Sequence, residues 1–147
     1  MPKMTRRGFT LIEILIVIAI LGLIAGIAIP RVGRALVRQN VRSAQNALVT
    51  MHSQARATAV FRGRRAYLRI LNDSAWVYAQ HPVTGAYQIV GEPLDLQSRY
   101  GVTVTSPTEW FFFDPRGMYW SGAATISLQR GVFRDTIAIN SFGRVLR

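Results

Sequence analysis

The hydrophobic pattern changes period twice along the chain. Over residues 9–29 it does not alternate at all: 21 residues carry a single charge, Glu13. A helix rising about 1.5 Å per residue makes this run about 31 Å long, close to the hydrocarbon thickness of a bilayer, so it predicts a transmembrane helix. A cleaved secretory signal has an apolar stretch of only about 7 to 15 residues, followed by a small-residue cleavage site. This run is longer and leads into Pro30-Arg31, so the apolar helix is expected to stay in the mature protein. Pro30 removes one helical hydrogen bond and is expected to kink or loosen the helix as it leaves the bilayer.

From residue 31 to about residue 61 the apolar positions recur by threes and fours, at Val37, Val41, Ala44, Leu48, Met51, Ala55 and Ala59, the spacing of an amphipathic helix. A stripe of small, mixed residues suits packing against a sheet of the chain's own domain. After Gly63 the period falls to two. Residues 66–71, 75–80, 86–90, 102–105, 110–113, 125–128 and 132–139 alternate and are separated by turn signals such as Asn72-Asp73-Ser74, His81-Pro82, Gly85 and Gln129-Arg130-Gly131. The predicted fold class is α+β: a long N-terminal helix, transmembrane in its first half and amphipathic in its second, packed on a mostly antiparallel β-sheet C-terminal domain. The expected organisation is a leader at 1–8, a transmembrane helix at 9–29, an amphipathic helix at 30–61 and a β-rich domain at 62–147.

Composition changes this picture little. A chain of 147 residues, half hydrophobic and 17% charged, is one small globular domain added to an anchor. The absence of cysteine removes disulfides, thiolate metal sites and cysteine nucleophiles. Charge adds a bias: 18 Lys plus Arg stand against 7 Asp plus Glu, and every base except Lys3 is arginine. Such a protein attracts nucleic acid, acidic lipid or acidic partners without choosing between them.

The leader holds three bases, Lys3, Arg6 and Arg7, no acid, and ends at Gly8. Gly8-Phe9-Thr10-Leu11-Ile12-Glu13 closely resembles the processing motif of type IV prepilins and pseudopilins. The resemblance implies cleavage after Gly8 by a prepilin peptidase and N-methylation of Phe9 as the new N-terminus. It also implies that Glu13 pairs with the methylated amine of a neighbouring subunit. Physics alone leaves two readings of Glu13. An acid within an apolar span costs about 3 kcal/mol and wants a cation, or it lies near enough to the helix end to reach the interface. Gly22 and Pro30 fall where pilins place a glycine and a proline, and Gly22 with Gly26 forms a small-residue step of the kind that lets membrane helices approach closely. The implied partners are other pilins or pseudopilins, the peptidase, an inner-membrane assembly platform and membrane lipid. The implied location is the bacterial inner membrane, in a single pass with the C-terminal domain outside. Bases flank the span on both sides, so the positive-inside rule does not decide the orientation.

A second resemblance lies in the C-terminal third. Phe111-Phe112-Phe113-Asp114-Pro115-Arg116-Gly117, residues 125–128, and Gly143-Arg144-Val145-Leu146-Arg147 are similar to the ending of the GspH/FimT class of minor pilins. It implies a minor subunit that helps initiate or cap a pilus or competence filament. Two alternatives stay open: an H-type pseudopilin of a type II secretion system, and a DNA-binding receptor subunit of a filament.

Little in the sequence indicates chemistry. His52 and His81 lie 29 positions apart without acids at ligand spacing, and are expected as ordinary surface or hairpin residues. The acids are scattered and no phosphate-loop lysine motif is present. The chain is read as a non-enzyme that needs no cofactor and holds no metal. Arg144 and Arg147, beside a glycine expected to be flexible, are candidates for bidentate contact with DNA phosphates. Arg34, Arg38 and Arg42 stand four apart on one helix face and are candidates for lipid head groups, acids of adjacent subunits or DNA, against the plainer reading of a solvated row. Trp110, Phe111 and Tyr119 are either stacking platforms for single-stranded bases or core residues.

Overall fold

A computed structural model describes residues 9–146. The predicted leader with its cleavage site at Gly8, and Arg147 at the other end, lie outside the described residues. The chain divides after Leu36 into two compact units. One helix, α1 (Leu11–Arg62), contributes to both. Pro30 sits inside α1 and does not end it.

In the first unit every described helical side chain over residues 11–36 is exposed. The second unit, Val37–Arg147, holds the whole hydrophobic core. Here the stripe of α1 goes inward: Val41, Ala44, Leu48, Met51, Ala55 and Ala59 are buried. Small residues at 44, 55 and 59 let the helix lie close to the sheets, and Leu48 fills the middle. Leu48→Ala would cost about 2 to 5 kcal/mol through lost burial and the cavity left behind. Gln45 rides on the same buried face because its Nε2 donates to Thr136 O at 3.0 Å.

The β-rich part is antiparallel as expected, and its strands divide into two sheets. The first orders its strands β3 (Tyr87–Ile89), β2 (Ser74–Gln80), β1 (Ala66–Leu71) and β6 (Trp110–Phe113), with β4 (Leu94–Asp95) also on β2. The second runs β5 (Thr103–Thr105), β7 (Ala124–Arg130), β8 (Phe133–Ile139) and β9 (Val145–Leu146). Alternation decides the faces. Leu68, Ile70, Val77, Phe111 and Phe113 of the first sheet, and Ile126, Leu128, Ile137 and Ile139 of the second, close one core.

Turn chemistry sets the registers. Asn72 and Asp73 both take positive φ, 48° and 57°, and join Leu71 to Ser74 as a two-residue hairpin loop of type I′. Asp73 then reaches out, its Oδ1 accepting from Val104 N at 2.6 Å, so the turn also anchors β5. Between β7 and β8 the turn sits at residues 131–132, and Gln129 and Arg130 belong to the strand. A short helix, α2 (Leu96–Tyr100), was not expected. Asp95 caps it by accepting from Ser98 N at 2.7 Å, and Gly101 ends it at φ 64°.

Candidate functional site

The N-terminal unit presents an apolar surface with no covering of its own. In its most apolar 18-residue window α1 has a mean hydropathy of 2.9 and none of it is buried. The helix starts cleanly: Thr10 Oγ1 accepts from Glu13 N at 3.3 Å, and Thr10 O accepts from Ile14 N at 3.3 Å. The Thr-x-x-Glu spacing is that of a capping box. The capping role of Thr10 was readable from that spacing. Glu13 lies in the first turn of the helix, exposed, and makes no ion pair among the described residues. At Gly22 and Gly26 an added Cβ would meet nothing within 4 Å. Each costs the helix about 1 kcal/mol relative to alanine, and nothing among the described residues requires the missing side chains.

Within the second unit the described arginines proposed for anion contact lie in two separate places. Arg34 is exposed in the first unit. In the second, Arg38 lies over the Phe133 ring at 5.1 Å from its centroid, and Arg38 and Arg42 border a hollow that also contains Asp135. Arg144 belongs to another region, a groove of about 670 Å³ between α1 and the loop before β9, where it faces Arg56. Arg42 and Arg56 are 14 residues apart on the helix, about 21 Å.

Two expectations about individual residues are corrected. Gly143 is not a flexible residue of a tail. Asn140 O accepts from Gly143 N, Asn140 Oδ1 accepts from Phe142 N and Arg144 N, and Gly143 sits at φ 72° with its Cα face against Tyr119. The segment is a hairpin loop that returns β9 onto β8. His52 is not a surface residue. It is only 4% exposed, packs edge-on against Phe113 at 5.0 Å, and its Nε2 has no hydrogen-bond partner among the described residues. Burial first, and the nearby Arg56 second, lower its pKa to about 4, so it is neutral at pH 7. His81 does sit in a hairpin, where Nδ1 accepts from Val83 N and Thr84 N. Phe111 and Tyr119 are core and cannot stack on a base, whereas Trp110 is half-buried beneath the Arg69 guanidinium, 4.6 Å from its ring centroid.

The run 111–117 has a structural meaning of its own. Asp114 Oδ1 accepts from Arg116 N and Met118 N, and Gly117, at φ 75°, would push a Cβ to 2.7 Å from Val60 of α1. Glycine is therefore needed where this turn meets the helix. The chain folds back so that Trp120 N donates to Phe112 O.

An uncovered apolar helix bearing one acid in its first turn, continued by a helix packed on two antiparallel sheets, is an arrangement that known pilin-like proteins share. The model of the prokaryotic N-terminal methylation motif matches residues 3–29. The pilin-like protein PilA1 of Thermus thermophilus is 29% identical over 160 residues, spanning 96% of this chain and 97% of that protein. Among solved structures, the type IV minor pilin FimU of Pseudomonas aeruginosa matches with a TM-score of 0.58 at 17% identity, over 74% of this chain and 88% of that one. The minor pseudopilin EpsH of the type 2 secretion system of Vibrio cholerae matches with a TM-score of 0.53 at 16% identity, over 71% and 93%. The fold is thus that of minor pilins and pseudopilins, and the chain carries their methylation motif.

Proposed function

We propose that this chain is a minor subunit that helps initiate or cap a type IV pilus or pseudopilus, inserted as a single pass in the bacterial inner membrane and then drawn into the filament by its N-terminal helix. The observation that carries the reading is the complete exposure of the apolar helix together with its one acid. In lipid, Glu13 costs about 3 kcal/mol. Opposite the amine of a neighbouring subunit that cost is offset, so the acid favours transfer from bilayer to filament. Peptidase cleavage after Gly8 frees that amine on Phe9, which is then methylated. Gly22 offers a close approach for an adjacent helix, and Pro30 gives it local freedom above the membrane.

The test is Glu13→Ala in cells that assemble the filament. Incorporation of the variant should fall sharply while its C-terminal domain stays folded. Normal incorporation would sink the charge-pairing mechanism. A second reading, contact with DNA, is supported by the charge: removing Lys3, Arg6 and Arg7 from 18 bases leaves 15 against 7 acids. Arg144 is its best described residue, exposed and facing Arg56 across the groove.

A further inference from the structure

The outer face of the first sheet carries an aromatic cluster that neither helix packing nor the core explains. Tyr67 lies at its centre and is 8% exposed. It stacks on Tyr78 at 4.9 Å between centroids and meets Tyr87 and Trp110 at 5.0 Å and Phe112 at 5.4 Å. The pleat accounts for this, because Tyr67 is in register with Tyr78 on one side and Phe112 on the other. Beside this bed opens a cleft of about 380 Å³ lined by Arg65, Tyr87, Phe112, Phe113 and Trp120. Three of its rings face solvent: Tyr87 is 43% exposed, Phe112 39% and Trp120 70%. Arg65 extends along the same wall, its guanidinium 5.6 Å from the Trp120 ring centroid.

We infer that this cleft binds a base of a single-stranded nucleic acid, with the ring held against Phe112, Trp120 and Tyr87 and the backbone phosphate at Arg65. Three features select that class. Ring faces held in place by a packed bed stack on any base, whatever its sequence. The lining contains a guanidinium and no carboxylate or amide side chain, whereas a neutral sugar would need acceptors for its hydroxyls. The chain as a whole is strongly basic, which draws in a polyanion. A duplex has its bases already stacked and would offer the cleft nothing. The inference does not depend on filament assembly, and it concerns a surface that does not include Arg144.

The experiment uses the full chain in detergent micelles, with a fluorescein-labelled oligothymidylate of about 15 nucleotides and a duplex of equal length, read by anisotropy at low salt. The single strand should bind at least about tenfold more tightly than the duplex. Trp120→Ala and Phe112→Ala should each weaken single-strand binding by about 5- to 150-fold, the range of one lost base stack. Arg65→Gln should lower the slope of log K against log salt by about one. Trp120 is exposed enough that its loss leaves the fold intact, which near-UV circular dichroism would verify. Equal affinity for duplex and single strand would overturn the inference. So would a Trp120→Ala variant within twofold of the parent, or a neutral oligosaccharide occupying the cleft in place of the oligonucleotide.

Discussion

Replacing His52 by leucine should remove a specific part of the acid sensitivity of the folded domain. The imidazole is sealed between α1 and the rings of Phe113 and Tyr119, at 5.0 and 6.2 Å between centroids, and its Nε2 has no hydrogen-bond partner among the described residues. Its pKa is lowered to about 4 by burial and then by Arg56. Between pH 6.5 and 4 the unfolded chain therefore binds a proton that the native state refuses. Stability is intact above about pH 6.5, falls as pH drops toward 4, and loses nothing further from this group below that. Each factor of ten in proton binding is worth about 1.4 kcal/mol, so the loss amounts to about 3 kcal/mol. The assay is denaturant unfolding of the full chain in micelles, followed by tryptophan emission, since all three tryptophans, Trp76, Trp110 and Trp120, lie in the second unit. Carboxylates also titrate near pH 4, so the quantity to read is the difference between parent and variant. His52→Leu should match or exceed the parent by about 1 kcal/mol at pH 7, because an unpartnered buried nitrogen has been removed. That advantage should widen by about 3 kcal/mol toward pH 4. Parallel curves across that interval would refute the assignment of a buried, neutral histidine.

Three further outcomes are expected. Gly143→Ala drives a Cβ into the Cβ of Tyr119 at φ 72°; the strain and overlap should cost about 2 to 4 kcal/mol and lower Tm by about 4 °C per kcal/mol, measurable by thermal melting. Asp73→Ala loses the 2.6 Å bond to Val104 N and puts alanine at positive φ, for about 2 to 3 kcal/mol. Asp73→Asn keeps both the acceptor and the tolerance for that backbone and should lose under about 1 kcal/mol in the same melts. Gly22→Leu should not lower the stability of the isolated subunit, since its face is empty, but should reduce incorporation into filaments, scored by immunoblotting of sheared fibres.

Much of the architecture was legible because it rests on local rules. The apolar run, the stripe from Val41 to Ala59 and the Asn72-Asp73 turn each follow from period or turn chemistry that no tertiary contact overrides. α2 was missed although its signals were present: Asp95 before Leu96 and Gly101 after Tyr100 are ordinary cap residues, but five residues are too few for a helical period to show. The division into two sheets was not legible, because alternation tells which residues share a face and not which strands share hydrogen bonds. His52 was misread for a similar reason. It occupies the buried face of α1 next to Met51, but one polar residue in a stripe of small apolar ones looks like its edge. Gly143 looks like freedom in the sequence, whereas it is required by the close approach of Tyr119, as Gly117 is by that of Val60.

Two groups of residues are not explained by the chain's own fold. Along α1 they are Glu13, Gly22 and Gly26: a charge without a partner among the described residues and two gaps that nothing fills, each a local cost that this chain alone does not repay. At the first sheet they are Phe112 and Tyr87, on its strands, and Trp120, in the loop after β6, large rings left in solvent beside a guanidinium when the core is already closed behind them by Phe111 and Phe113. Where local preference and fold agree, as over most of Val37–Arg147, the sequence serves folding. Where they disagree, the explanation has to lie outside the subunit. The two places differ in what they ask of a partner. The helix presents small residues and one negative charge, which suit another helix carrying a positive one. The sheet presents π faces and a positive charge, which suit a planar anion. These demands are not interchangeable, so loss of assembly by Glu13→Ala and loss of single-strand binding by Trp120→Ala should be separable in one protein.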